Sequence, residues 1–354
     1  MKRILILFFI VAVFSQIAKS QGCITIRNVS TGTGQYNLLD RSFTKADWQI
    51  ALTNRFFVAN EAYTATEYNK AASTFENRTY TFDVAVTRLL NKGWSLQLDI
   101  PISANSRMNP GEHGATWGDN TTHSFGVNDI FIIAYKWILA PHENQKFNFQ
   151  LGLGVKLPTG AYNYMDYFNR GDSNRVLAPV NLSIQLGDGG TGIMTVLNSF
   201  YVFSKSWSLY FNGFYLFNPR DQNGVSTLLG KVPPNINTLN FVGATVTSVP
   251  DTYSARLGAS FVAGQWIFSA GGRFEGSPVH DAIGQSNGLR RAGYNFSIEP
   301  GAMYNWKTVS VYFYLPINMA VYEMNVITDQ KQGISKTTGG SAPFQFILGA
   351  LFKL

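Results

Sequence analysis

Along the stretch FNFQLGLGVKLP, Phe147, Phe149, Leu151, Leu153, Val155 and Leu157 alternate without a fault against Asn148, Gln150, Gly152, Gly154, Lys156 and Pro158. A period of two sends successive side chains to opposite faces of a strand. One face is therefore apolar and the other small or polar. In a soluble sandwich such a strand lies half buried on a core, but here the pattern recurs along the chain. A transmembrane β-barrel writes its sequence this way, with lipid outside and a polar lumen inside.

Twelve alternating segments fall at 47–58, 79–90, 94–104, 124–138, 147–158, 191–203, 207–218, 252–262, 266–275, 293–304, 309–321 and 343–354. Connections after even-numbered segments are short: Asn91 to Gly93, Leu139 to Lys146, Ser204 to Ser206, Ala263 to Gln265 and Asn305 to Thr308. Those after odd-numbered segments run 17 to 33 residues and are rich in Gly, Asn, Asp and Ser. Strict alternation of short and long connections marks bacterial outer-membrane barrels, with tight periplasmic turns and long external loops. Structureless loops of this length argue against a compact soluble domain. The expected fold is all-β, a transmembrane antiparallel up-and-down β-barrel of about twelve strands, occupying 47–354.

Ahead of the barrel, residues 1–20 read as a secretory signal peptide: Lys2 and Arg3, the apolar run Ile4 to Phe14, then Ala18-Lys19-Ser20 as a small-x-small cleavage site. Residues 21–46 either lie in the periplasm or fold into the lumen as a plug, and the sequence leaves both open. The single cysteine, Cys23, has no intrachain partner, so there is no disulfide framework. Ser20 stands where a lipid-anchoring motif wants an aliphatic residue.

Charged residues make up 14% of the chain, against roughly 25% in soluble domains, and aromatics another 14%. That balance suits a wall facing outer-membrane lipid. After the signal region no run approaches the ~20 apolar residues of a membrane helix. The net charge of +7 comes without a basic cluster, so it is assigned to surface and loops, and no nucleic acid is expected as a partner. Trp48, Trp94, Trp137, Trp207, Trp266 and Trp306 fall at the short-turn ends of the segments, leaving Trp117 in a long loop. Indole rings favour the membrane–water interface, so these six predict a girdle. Tyr80, Phe217, Phe274 and Tyr294 would supply the opposite one. The last segment carries Phe344, Phe346, Leu348, Ala350, Phe352 and Leu354 on one phase, the kind of closing strand that barrel-insertion machinery recognises. Leu354 stands there in place of the usual terminal aromatic.

Three motifs carry a resemblance: Gly126-Val127-Asn128-Asp129-Ile130 opening segment four, Gly154-Val155-Lys156-Leu157-Pro158-Thr159-Gly160 ending segment five, and Ile184-Gln185-Leu186-Gly187-Asp188-Gly189 before segment six. They resemble the outer-membrane barrel family of the meta-pathway of phenol degradation, which is similar in role and architecture to barrels transporting fatty acids and other hydrophobic compounds. Asn128 stands for a glycine of the family's Gly-Leu-Gly-Asp pattern, and Leu186 for the proline of Leu-Gln-Pro-Gly-x-Gly. The resemblance covers the middle third of the barrel. It implies passive transport of small hydrophobic, including aromatic, compounds across the outer membrane of a Gram-negative bacterium.

With the aliphatic phase toward lipid, Arg55, Asp83, Asp99, Asn128, Lys156, Arg256, Arg273 and Glu299 project into the lumen. These groups either line a path or pair across a narrow interior; a lipid-facing charge costs about 2–4 kcal/mol at the midplane. Twelve strands lie between small barrels packed solid and porins of roughly 16 or more strands that hold water. Arg88 is on the lipid phase, two residues from a turn, where it snorkels to the headgroups. Tyr63, Tyr68, Tyr162, Tyr164, Tyr167 and Phe168, in external loops, would capture an apolar ligand at the mouth or pack the loops into a lid.

No enzyme is expected. The four histidines, His113, His123, His142 and His280, fall in connections, and none shares a strand face with a serine it could activate. Glu112, His113, Asp119 and His123 share one loop without the spacing of a metal site, and the glycine runs Gly32 to Gly34 and Gly187 to Gly192 precede no helix that would bind phosphate. Neither metal nor cofactor is implied. The expected partners are outer-membrane lipid, a small hydrophobic ligand and the insertion machinery. Two further readings remain: a structural or adhesive barrel whose loops bind a partner, and an open porin for polar solutes.

Overall fold

In the computed structural model, residues 48–90, 93–109, 121–140, 145–169 and 175–354 are described. The signal peptide, the 21–46 segment with Cys23, and Glu112, His113, Trp117, Asp119 and His142 lie outside the described residues.

Twelve strands form the wall: β1 (Trp48–Ala59), β2 (Glu76–Leu89), β3 (Trp94–Met108), β4 in two pieces (Thr121–Val127 and Ile130–Trp137), β5 (Phe147–Leu157), β6 (Gly192–Val202), β7 (Trp207–Phe217), β8 (Thr252–Ala263), β9 (Trp266–Ser277), β10 (Ala292–Asn305), β11 in two pieces (Val309–Tyr314 and Ile317–Met324) and β12 (Gln345–Lys353). Each pairs antiparallel with its neighbour in sequence, and β12 pairs with β1, so the sheet closes into a barrel. At the seam Trp48 and Leu354 exchange reciprocal backbone hydrogen bonds of 3.2 and 2.9 Å. Closure pairs the backbone polar groups along the continuous part of the wall, which is what lets strands cross lipid, while the outer pieces Thr121–Val127 and Ile317–Met324 are each laddered on one side, to β3 and to β10.

The outward phase is apolar and exposed: Leu153 and Leu257 reach 62% and 63% exposure, with Leu96, Leu98, Ile132, Leu151, Ile193, Leu209 and Leu348 beside them. An apolar surface of that extent is far larger than a soluble monomer displays. It matches a lipid-facing belt.

Five of the six girdle tryptophans, Trp48, Trp94, Trp207, Trp266 and Trp306, point outward, 44% to 53% exposed. Trp137 corrects the expectation. It is 8% exposed and packs inside the barrel, edge to face with Phe200 at 5.9 Å. The cause is that β4 is apolar on both phases: Phe131, Ile133, Tyr135 and Trp137 point in, Ile132 and Ala134 point out. The outward cations nearest the short turns lie over girdle rings, Arg88 over Trp48 at 4.9 Å and Lys136 over Trp94 at 5.3 Å. At the other rim an outward aromatic chain links β7 to β11 through Phe217, Tyr215, Tyr253, Phe274, Tyr294 and Tyr322, with ring separations of 4.5 to 6.3 Å.

Two strands are interrupted. β4 breaks at Asn128 and Asp129, where the Asn128 amide turns to the carbonyl of Pro101 at 2.8 Å. β11 breaks at Leu315 and Pro316, since proline brings no donor to the ladder. The long connections are not structureless. Glu61–Thr64 pairs with Thr338–Ser341 and with Glu67–Tyr68, Met165–Asn169 pairs with Arg175–Pro179, Gln222–Ser226 pairs with Val246–Ser248, and short helices span Ile236–Val242 and Ile327–Lys331. Pieces of two to seven residues are too short for a period to show in sequence.

Candidate functional site: the barrel interior

All eight predicted lining residues point inward, each at most 5% exposed. They form three groups. On β1 to β3, Arg55, Asp83 and Asp99 sit on the inward phase at staggered positions of the ladder, Arg55 opposite Thr81, Asp83 opposite Thr53 and Pro101, and Asp99 opposite Ala85. Across the barrel, Glu299 on β10 accepts from Arg256 Nε at 2.8 Å and from Arg273 Nη1 at 3.3 Å. Arg273 also donates to Glu275 at 2.7 and 3.0 Å, and Glu275 accepts from Gln345 at 3.0 Å. The Arg256 guanidinium lies 5.7 Å from the Tyr210 ring and 5.2 Å from the Tyr314 ring. Glu275 and Gln345 were missed by sequence reasoning, although Glu275 shares the phase of Arg273 two residues away. Charges buried in such pairs fill space and hold strands together.

The third group joins the three sequence motifs in space. Lys156 on β5 pairs with Asp188 and lies 3.8 Å from Asp129 at the break in β4. Asp129 accepts from the amides of Gly160 at 3.0 Å and Asp188 at 3.3 Å. Thr159 Oγ1 donates to the Asn128 carbonyl at 2.9 Å and accepts from the Ile130 amide at 3.0 Å, while Asn128 Nδ2 reaches Ser103 at 2.9 Å. A Cβ on Gly187 would sit 2.6 Å from Asp129 Oδ1, and one on Gly160 would sit 2.7 Å from the Leu186 carbonyl oxygen. Only glycine permits this approach.

What these contacts hold is the stretch 180–190, folded inside the wall rather than outside it. Val180, Asn181, Ser183, Ile184 and Leu186 are at most 3% exposed. The Leu182–Ile184 turn packs against β2 and β3, and the Ile184 carbonyl accepts from Ser124 and, at 3.5 Å, from Asn105. Gln185 Oε1 takes the Tyr164 amide at 2.8 Å while its Nε2 donates to the Val180 carbonyl at 2.9 Å. Sequence reasoning placed this stretch before β6 but gave no sign that it turns inward.

Between the charged groups lies an apolar sector. Phe131, Ile133 and Tyr135 of β4, Met194 and Val196 of β6, and Phe214 and Leu216 of β7 form one buried cluster on the inward phase. β5 passes between them carrying Gly152 and Gly154, whose missing Cβ atoms would meet Tyr135 Cε1 and Ile133 Cγ1 at 2.7 Å. The polar lumen of the expectation is thus polar on only part of its wall.

The six mouth aromatics do not form one patch. Tyr63 and Tyr68 pair edge to face at 5.8 Å in the loop after β1. Tyr63 also donates to Glu61 at 3.0 Å; burial, then that hydrogen bond, pushes its pKa up to about 12. Tyr162 lies against Gly189, whose φ of +77° suits the turn, and under Arg220 at 5.6 Å. Phe168 is buried with Ala178 and Leu229, whereas Tyr68 and Tyr167 are 54% and 56% exposed. His123 is in the outer piece of β4 rather than in a connection, its amide donating to Asp166 at 2.7 Å.

Among solved structures the chain is similar to an outer membrane channel from Pseudomonas putida F1, with a TM-score of 0.56 and 12% identity over 87% of this chain and 96% of that one. Fainter likenesses are to the toluene transporter TbuX of Ralstonia pickettii (0.43, 7% identity, 96% and 99% covered) and to the CymD monoaromatic hydrocarbon channel (0.41, 10%, 96% and 98%). No family model matches the chain, and no curated protein sequence matches it. The first likeness is one of fold, a closed antiparallel β-barrel.

Proposed function

We propose that this protein is an outer-membrane channel through which small hydrophobic compounds, aromatic ones included, move passively down their gradient in a Gram-negative bacterium. The observation that carries the proposal is the apolar sector of β4, β6 and β7 on the phase that a water-filled porin would leave polar. Apolar side chains on the inward phase, packed on one another at 0 to 6% exposure, would give a solute of low polarity apolar contacts as they part around it. Fold likeness to a channel supports the same reading. The exposed rings of Tyr68 and Tyr167 are the proposed first contacts, and the buried polar groups are the lining the solute passes. This activity needs no catalytic chemistry.

The test is solute entry into liposomes holding the refolded protein, with toluene set against a sugar of similar size. Faster entry of toluene alone is the expected result; faster entry of the sugar would make the barrel a porin for polar solutes. Planar-bilayer conductance complements it, comparing the mature protein with a version lacking Gln21 to Lys45. Current only after that deletion would assign those residues the role of plug.

One observation favours a second reading, a barrel whose loops bind a partner. The loops after β7 and β9 are stitched together: Asp251 accepts from Tyr215, the Asn218 amide and the Ala282 amide at 2.6 to 2.9 Å, its own amide donates to Asp281 at 2.8 Å, and Arg290 donates to Ser248 Oγ at 2.6 and 3.1 Å. Phe241 stands 88% exposed on the same cap. Loop trimming that abolishes surface attachment while leaving toluene entry intact would establish that role.

A further inference from the structure

We infer that Lys156 is the latch that keeps the stretch 180–190 folded across the lumen, and that breaking this latch opens the passage. The inference rests on the channel reading above and names how that channel is closed. Its basis is the placement of charge. Asp129 belongs to the wall, Asp188 belongs to the infolded stretch, and Lys156, 2% exposed, is the cation the structure puts between them. The two acids are close enough for the Asp188 amide to donate to Asp129 at 3.3 Å. With the lysine present, one buried positive charge binds wall and stretch together. Without it, the buried Asp129 and the Asp188 side chain, 29% exposed, are left as two acids with no cation between them, and their repulsion weakens the hold of the wall on the stretch.

Lys156 is the attachment that carries charge across from the wall, while the others are hydrogen bonds to the stretch's backbone and side chains. Ser124 and Asn105 donate to the Ile184 carbonyl, the Leu186 amide donates to the Ala161 carbonyl at 3.2 Å, the Tyr164 amide donates to Gln185 at 2.8 Å, and Asn223 Nδ2 and Arg220 donate to the Asp188 and Gly189 carbonyls. Gly189, at φ +77°, gives the near end a point about which the chain can turn. Lys156 also lies on β5, whose Gly152 and Gly154 border the apolar sector, so the latch and the proposed path share one strand.

The experiment measures the stretch and the passage separately, in the full chain. Cys23 is replaced by serine, and Ser183, 2% exposed and within the stretch, is changed to cysteine as a reporter for a membrane-impermeant thiol reagent added outside whole cells. Introducing Lys156→Met should raise the labelling rate at this position by about tenfold, the factor that one charge-assisted hydrogen bond is worth. Adding Asp129→Asn to Lys156→Met removes the repulsion and should return labelling toward its starting rate. Asp188→Asn leaves the wall untouched and should give a smaller rise, so the proposal stays testable if Lys156→Met does not assemble. Bilayer conductance is recorded on the same proteins and should rise with labelling.

Unchanged labelling in both Lys156→Met and Asp188→Asn overturns the latch, whatever the current does. Labelling that rises in Lys156→Met but fails to fall on adding Asp129→Asn overturns the repulsion on which it depends. Labelling that rises and falls as expected, with neither conductance nor toluene entry in any variant, upholds the latch and refutes the channel.

Discussion

Glu299 accepts from arginines on two other strands, and each arginine brings a second acidic or amide partner with it. Removing one member of so buried a group strands the rest. Glu299→Gln is therefore expected to destabilise the barrel by about 3 kcal/mol, read as a lowered urea midpoint in detergent. Replacing Arg256 and Glu299 together by methionine and leucine should cost clearly less, because no charge is left without an opposite. Equal losses in the single and double variants would show that shape, not charge, matters at this position. At the same scale, Gly152→Val would thrust methyl groups into Tyr135 and Val196, which already stand 2.7 and 2.9 Å from an added Cβ. A loss of about 1–3 kcal/mol from overpacking is expected, and an unaltered urea midpoint would show slack in the apolar sector.

β4 and β5 mark the boundary of what sequence reveals. On β5 the two phases differ sharply, so its outward leucines and its inward Gly152, Gly154 and Lys156 could be read directly. On β4 both phases are apolar, and period alone cannot say which faces lipid, so Trp137 reads in sequence as a girdle residue although it lies inside. The three motifs could be found in sequence, but their meeting could not, since Asp129 and Asp188 are 59 positions apart and are joined by a chain that doubles back into the barrel. The outer strands and helices of the loops went unread because so few residues leave no periodic trace. For the infolded stretch the expected effect of Gly187→Ala follows from Asp129 Oδ1 and the Gly160 carbonyl, both within 2.7 Å of the added carbon. The stretch must shift, and toluene entry should change while heat-modifiable gel migration stays normal. A variant that loses the migration shift would place Gly187 in barrel assembly instead.

For the molecule as a whole, the outward belt makes a sharp prediction. Leu153, outward on the middle of β5 and 62% exposed, faces the part of the membrane where a cation is hardest to place. Leu153→Arg should weaken the folded barrel by about 2–4 kcal/mol in lipid vesicles, and the same change at Leu139, beyond the end of β4, by less than about 1 kcal/mol. Equal costs at the two depths would mean that this wall does not face lipid.

The seam between β1 and β12 carries a topological consequence. Trp48 and Leu354 bond to each other as if they were neighbours within one hairpin, so the wall is a ring with a nick in it. A short peptide joining residue 354 to residue 48 would mend that nick, and a cut in one of the external loops would make another. Such a circular permutant keeps every strand pairing of the parent, and its new ends would emerge on the opposite rim, where they could display a fused tag on the outer side.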